Sequence, residues 1–252
     1  MQSRRSAART SEPEPRPEEA PKTIAEAIYV RLRQDILSGE HKPGAKLRFA
    51  ELTSSYEASM GTLREALTRL TAERLVIAEG QRGFRVAPIS LNELWDITRL
   101  RTEMEAAALQ EAIDCGNDAW EANILSCMHM LLKLEGRSAK TPLLLTEEGA
   151  RLHKEFHMSL IAASPSIWRL RVIDVLYDQS ERYRRLQTSH LSRMLNSAAE
   201  HQEVAAAVIA RDKRVAVKLM TAHLKQTALM LEGVKSLWEP SELAAKFVSK
   251  IR

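Results

Sequence analysis

The apolar positions of this chain fall into two regimes that meet near Pro88. Before it, the period changes every ten to fifteen residues. In "TIAEAIYVRLRQDILSG", Ile24, Ala27, Ile28, Leu32, Ile36 and Leu37 share one helical face, with Thr23 placed to cap and Gly39 to stop the helix. "HKPGAKL" predicts a turn at Pro43-Gly44. "FAELTSSY" reads as a short helix. "SMGTLREALTRLTAERL" reads as another, capped by Ser59, with Leu63, Ala66, Leu67 and Leu70 inward. Two short β-prone runs follow, Val76 to Glu79 and Phe84 to Ala87, with Gly80 and Gly83 bracketing the turn. Two helices, a tight turn and a hairpin predict a winged helix-turn-helix over residues 22–89.

After Pro88 the pattern is helical almost throughout. "SLNELWDITRLRTEMEAAALQEAI" opens on Ser90 with Glu93 in capping-box position. "DAWEANILSCMHMLLKLE", "TEEGARLHKEFHMSLIAAS", "SIWRLRVIDVLYDQSERYRRLQ", "RMLNSAAEHQEVAAAVIAR" and "DKRVAVKLMTAHLKQTALMLEGV" follow with short connections. The expected fold is mainly α: an N-terminal winged helix and, over residues 90–236, an antiparallel bundle of six to seven helices. Residues 1–21, basic and then rich in Pro and Glu, read as a disordered tail, or as a DNA-contacting arm through Arg4, Arg5 and Arg9. Residues 237–252 read as a second tail.

Composition changes little in this picture. Hydrophobic residues make up 44% of the 252, enough for a buried core, and no apolar run is long enough to span a bilayer. The two cysteines, Cys115 and Cys127, form no CxxC pair and no disulfide framework. With no secretory signal, they fit a reducing cytoplasm. The formal charge of +4 permits an acidic partner without specifying one.

The chemistry of DNA recognition fits the first unit. A helix whose first turns carry Ser59, Thr62 and Arg64 can enter a major groove, where hydroxyls and a guanidinium reach phosphates or base edges. Arg48 precedes the helix pair, and Arg82, Gly83 and Arg85 sit on the wing, within reach of a phosphate or the adjacent minor groove. A small structural domain with surface arginines is the alternative. The stretch from "ILSGEHKPGAKL" through "TLREAL" and "RLV" to "GFRVAPIS" resembles the DNA-binding domain of GntR-family transcription regulators, over about 65 residues. The resemblance implies operator binding by a homodimer and carries the contact role to Ser59, Thr62 and Arg64. Met60 and Ala50 stand where family members often place arginines, so the half-site is not implied.

"RLHKEFH" raises a separate question. His153 and His157 are four apart and share a helical face, a good bite for a divalent ion. His201 and His223 lie on the last two predicted helices. The residues alone leave surface or polar-core histidines as an open alternative. Glu155 lies two residues after His153, roughly 200° around the helix, so the run is not the HExxH of zinc hydrolases, whose glutamate follows the first histidine directly. No nucleophile elbow, phosphate loop or dinucleotide fingerprint is present. A binding protein is therefore expected, not an enzyme.

The second unit resembles the FCD effector domain that follows the winged helix in the FadR subfamily of GntR regulators. The matching segments are "RTEMEAAAL", "HKEFHMSLIAAS" and "EHQEVAAAVIARDKRVAVKLMTAHL". The resemblance implies one divalent metal per chain, zinc or nickel, held in the family by an aspartate and three histidines. Here His153 takes the aspartate position, and His157, His201 and His223 match the histidines. Arg101 and Glu105 become effector-binding candidates. Replacing the aspartate by a neutral imidazole raises the charge of a metal-loaded site from +1 to +2, which favours an anionic ligand, and is also compatible with a changed metal preference. Much of the chain is similar to the CsiR/GlaR group of this family, which implies repression released by glutarate or a related C4–C5 dicarboxylate.

The reading expected from sequence is a cytoplasmic homodimeric regulator that binds double-stranded operator DNA, touches no membrane, and releases DNA when a small carboxylate joins the metal. A metal-free architectural DNA-binding dimer is the alternative. The Arg182, Arg184 and Arg185 cluster is expected on a solvated or dimer-contact face, with effector binding as the alternative, and Trp95, Trp120 and Trp168 in the core or an interface.

Overall fold

The computed structural model describes residues 23–137, 146–191 and 197–234. The two expected tails lie outside these residues. In the first unit, helix α1 (Ile24–Ser38) is followed by a two-residue strand β1 (Lys46–Leu47), helices α2 (Phe49–Tyr56) and α3 (Met60–Ala72), strand β2 (Val76–Ala78), a 3-10 turn at Gly80–Arg82 and strand β3 (Phe84–Val86). Thr23 and Ser59 cap α1 and α3 by accepting from the amides of Glu26 and Thr62. Gly39 ends α1 in the left-handed conformation (φ 84°), where a side chain would be strained. The apolar faces of α1 and α3 meet over Leu32, Leu63, Leu67, Leu70 and Leu75, all fully buried.

The sheet has one strand more than the sequence predicts. Its order is β1-β3-β2, antiparallel, with Leu47 opposite Phe84 and Ile77 opposite Arg85. β1 sits where a turn was expected. Two residues carry no periodicity; the strand exists because the wing offers it a free edge.

The second unit is a bundle of helices α4 (Leu91–Cys115), α5 (Asp118–Arg137), α6 (Glu147–Ile161), α7 (Ile167–Leu191), α8 (Ser197–Ile209) and α9 (Lys213–Glu232). α4 lies against α6, α7 and α9; α5 lies against α6 and α8. The core between them includes Leu109, Ile124, Leu131, Phe156, Leu160 and Val208, all fully buried. Trp120 on α5 donates its ring N–H to the Ser159 carbonyl on α6 at 2.9 Å, which fixes the depth of α6 in the bundle. Ser90 caps α4, but Glu93 does not close the box: its carboxylate accepts from the Tyr183 hydroxyl on α7. Among the described residues, no helix is long and apolar enough to cross a membrane.

The arginine cluster of α7 departs from its expected place. Arg182 and Arg184 are buried, not solvated. Arg182 donates to the carbonyls of Ala87 (2.8 Å) and Pro88 (3.0 Å) and so clasps the connection between the two units. Arg184 and Arg185 both reach Glu181. Trp120 is in the core, but Trp168 is 73% exposed on α7.

Burial predicts the cost of truncation. Leu160→Ala, at a fully buried position, is expected to lower the free energy of unfolding by about 2–5 kcal/mol. Leu125→Ala, at a half-exposed position one helix away, is expected to change it by about 0.5 kcal/mol or less. Urea denaturation of the two variants checks the contrast; equal losses would contradict this core.

Candidate functional site

The side chains expected to face DNA are carried by α3, the residue before α2, and the wing. The Ser59 hydroxyl accepts from the Thr62 amide at 3.2 Å and lies 2.9 Å from the Thr62 hydroxyl, so both oxygens sit on the first turn of α3. Arg64 is exposed one turn on, its guanidinium over the Phe49 ring at 5.3 Å. Arg48 is exposed beside Glu51 (2.8 Å), and Arg82 is exposed on the wing. Gly83 has φ 94°, and an added Cβ would meet no atom; it is the conformation that requires glycine. Arg85 departs from the expectation. It is buried, with Nε donating to Glu79 at 2.9 Å and Nη1 to the Gly44 carbonyl, so it braces the wing from inside and is not free to reach DNA. Met60 is 55% exposed at the start of α3.

The four histidines converge in the bundle. His153 and His157 come from one face of α6, His201 from α8 and His223 from α9. One ring nitrogen from each lies within 4.8 Å of the others. Ring centroids are 4.5 Å apart for His153–His157 and 4.7 Å for His201–His223. His153, His157 and His201 are buried.

Burial decides their protonation. Desolvation, reinforced by the neighbouring imidazoles, holds His153 and His157 well below the usual histidine pKa of 6.5 and takes His201 down to about 2. These rings are neutral at pH 7 and each offers a lone pair. Nδ1 of His153 lies 2.5 Å from the Tyr177 hydroxyl, and Nδ1 of His223 lies 2.7 Å from Glu200. Both contacts leave Nε2 for the centre, the arrangement by which an outer partner orients a metal-ligating imidazole. Both nitrogens of His157 and of His201 are buried without a hydrogen-bond partner. An unmet buried polar group costs about 1–3 kcal/mol, and an ion would engage one nitrogen of each ring. The donor set and its orphaned atoms therefore fit a divalent metal.

Two arginines border the same cavity, whose free space is about 30 Å³. Arg101 on α4 donates Nε to Glu105 at 2.7 Å and Nη1 to the Ser180 hydroxyl at 2.6 Å. Arg184 on α7 donates Nε and Nη2 to Glu181 at 2.7 and 2.5 Å. Each then keeps one buried amino group, Nη2 of Arg101 and Nη1 of Arg184, with no partner. Glu105 is thus a support for Arg101. Burial would raise the Glu181 carboxyl, but Arg184 and Arg185 hold it below the carboxylate range, so it stays ionised. Sequence reasoning places effector binding second for Arg184, because "ERYRR" has the charge spacing of a solvated helix. Glu155 is exposed and pairs with Arg151 at 2.5 Å, away from the histidines.

The buried neutral imidazoles set a pH dependence for the protein stripped of metal. Below pH 6.5 the unfolded chain takes up protons that folded His153, His157 and His201 refuse. Their contribution to stability is whole above that pH and falls as pH drops, by up to about 1.4 kcal/mol per pH unit per histidine. Urea midpoints in chelator at pH 7.5, 6.0 and 5.0 are expected to fall steeply; a flat profile would show the rings to be solvated.

Known proteins resemble this chain in sequence and fold. The family model of bacterial regulatory proteins of the gntR family matches residues 24–86, and that of the FCD domain matches residues 96–226. The chain is 40% identical to the HTH-type transcriptional repressor GlaR of Escherichia coli (strain K12) over 200 residues, 78% of this chain and 90% of GlaR. It is 36% identical to the HTH-type transcriptional regulator BphR of Paraburkholderia xenovorans (strain LB400) over 206 residues, 82% of this chain and 84% of BphR. In fold it is similar to E. coli McbR/YncC, with a TM-score of 0.69 at 19% identity, over 84% of this chain and 98% of that one. These relatives are named as regulators of transcription. The chain belongs to the GntR family of DNA-binding transcriptional regulators, with an FCD domain behind its winged helix.

Proposed function

We propose that this protein is a homodimeric repressor that holds one zinc or nickel ion at His153, His157, His201 and His223 and releases its operator when a small dicarboxylate joins that ion. The carrying observation is the coincidence in one cavity of orphaned imidazole nitrogens with the orphaned amino groups of Arg101 and Arg184. The kinship with GlaR, a repressor by name, supports the sign of regulation.

A bound divalent ion supplies open coordination positions for a carboxylate oxygen. The protein's own residues supply the rest. Four neutral imidazoles leave the ion's charge uncompensated, so the site favours an anion. Arg101 and Arg184, each steadied by a carboxylate behind it, present N–H groups to an acid's far end. A diacid of four to five carbons can engage both ends, and glutarate is the first compound to test.

The size of the cavity supplies the switch. About 30 Å³ is the share of liquid volume taken by one water molecule. A C4–C5 diacid is far larger, so its entry must displace α4, α7 or α9, the helices that bring Arg101, Arg184 and His223. A ligand that favours the displaced arrangement shifts the paired winged helices and lowers operator affinity, with a coupling of about 1–3 kcal/mol. Two winged helices related by a dimer axis would read a pseudo-palindromic operator through Arg48, Ser59, Thr62, Arg64 and Arg82.

Metal analysis of the untagged protein is expected to give about one ion per chain. Thermal shift across C2–C6 mono- and dicarboxylates is expected to single out a diacid, with pentanoate at least about tenfold weaker than glutarate. His157→Ala is expected to abolish the response while the fold persists. Full response in that variant would contradict the site. No ion after reconstitution and no shift with any acid would leave the architectural dimer as the reading.

A further inference from the structure

α7 faces two ways. Tyr177, Ser180, Glu181 and Arg184 border the histidine cavity. The residues between them, Asp178 and Gln179, grip the DNA-binding unit. Oδ2 of Asp178 accepts from Arg33 of α1, and Arg33 Nε donates onward to the Glu73 carboxylate at 3.0 Å. Glu73 is the C-cap of α3, the helix that carries Ser59, Thr62 and Arg64. Gln179 reaches the same place directly, donating Nε2 to the Glu73 backbone carbonyl at 2.7 Å.

Asp178 is also tied to the metal-bearing helix. Lys154, which follows His153 on α6, donates Nζ to Oδ1 of Asp178 at 2.8 Å and also reaches Asp174 at 2.6 Å. Asp178 therefore spends one oxygen on α6 and the other on α1. The joint around it is polar and open. A cleft of about 370 Å³ lies beside Arg33, Glu73, Lys154, Asp178 and Gln179. A joint of ion pairs flanked by open space can exchange partners without breaking an apolar core, as interfaces between mobile domains do.

We propose that Asp178 and Gln179 are the positioning residues through which the metal-bearing helix sets the pose of the recognition helix α3. The route is α6, Lys154, Asp178, Arg33, Glu73, with Gln179 as a direct strut from α7. A change of α6 and α7 around an occupied site moves Lys154 and Asp178 together and is read at the C-terminal end of α3. This rests on the metal reading of the histidines, and the experiment separates the two.

Coupling is measured as the response of one place to a ligand at another. The probe is Zn2+ alone, with the full chain followed by hydrogen–deuterium exchange. In the wild type, Zn2+ is expected to slow exchange in α6 and also, by about fivefold or more, in the segment from Arg69 to Leu75. In Asp178→Asn the α6 response is expected to persist and the response of that segment to be lost, with Asp178→Glu restoring it. Glu155→Gln, on the outer face of α6, is expected to leave both responses intact. Should Asp178→Asn lose its helical signal, Gln179→Leu cuts the strut alone and is expected to reduce the response of the same segment. A silent α6 in the wild type would remove the metal reading and this proposal with it. A responsive α6 with an unresponsive Arg69–Leu75 segment in the wild type would overturn the coupling alone. So would an undiminished response of that segment in Asp178→Asn, or in Gln179→Leu if that variant has to stand in.

Discussion

Three neutral imidazoles taken out of water, and a fourth at their edge, set the terms for the bundle. Desolvation strips His153, His157 and His201 of any proton they would carry near neutrality. It also leaves them in a core that cannot hydrogen-bond them all. An all-apolar core of the same shape would avoid that cost. The fold accepts it for these rings where α6, α8 and α9 meet, and keeps Phe156 and Leu160 fully buried on α6 to hold the rings in register. Such a centre is unfavourable when empty of ligand and well prepared when an ion is present, because the lone pairs need neither deprotonation nor much reorientation.

The arginines obey the same logic with the opposite charge. A buried guanidinium is tolerable only when paired, and a fully paired one has nothing left for a ligand. Arg101 and Arg184 are partly paired: Glu105 and Glu181 neutralise and orient each of them, and one amino group is withheld. Removing either glutamate would leave a buried cation uncompensated, so in the proposed reading these acids support the anion site even though they repel anions. The sequence offers Glu105 as an effector-binding candidate; the structure puts it behind Arg101, whose Nε donates to it.

Local rules carry far in this chain and stop at tertiary pairing. The caps at Thr23, Ser59 and Ser90 and the inward faces of α1 and α3 follow from spacing alone, and the structure has them, save that Ile24 at the start of α1 is exposed. The convergence of His201 and His223 with the α6 pair could not be derived from spacing; it entered through a family pattern. What stayed hidden has a common cause. β1 is stabilised by a partner strand some 40 residues away. Arg85 carries the pattern of a wing arginine and is claimed by Glu79 and Gly44. Glu93 leaves its capping box for Tyr183 on a distant helix. In the "ERYRR" run, i to i+3 and i+4 ion pairs look the same on a solvated face and in a core, because the pairing is local while the burial is not.

The placement of these pairs bears on how such a molecule can switch. Among the described residues, the hydrogen-bonded contacts that join the two units include Arg33 with Asp178, Gln179 with the end of α3, and Arg182 with the carbonyls of Ala87 and Pro88. Polar contacts of this kind hold a defined geometry at modest net stability, since each replaces hydrogen bonds that the separated groups would make to water. A hydrophobic joint of equal area would be stronger and would resist rearrangement by more than a small ligand can supply. All three contacts, moreover, are made by α7, the helix whose other face borders the histidines and carries Arg184. In the proposed reading, recognition and transmission thus share one helix, and a displacement of α7 reaches the DNA-binding unit through the polar side chains of Asp178, Gln179 and Arg182.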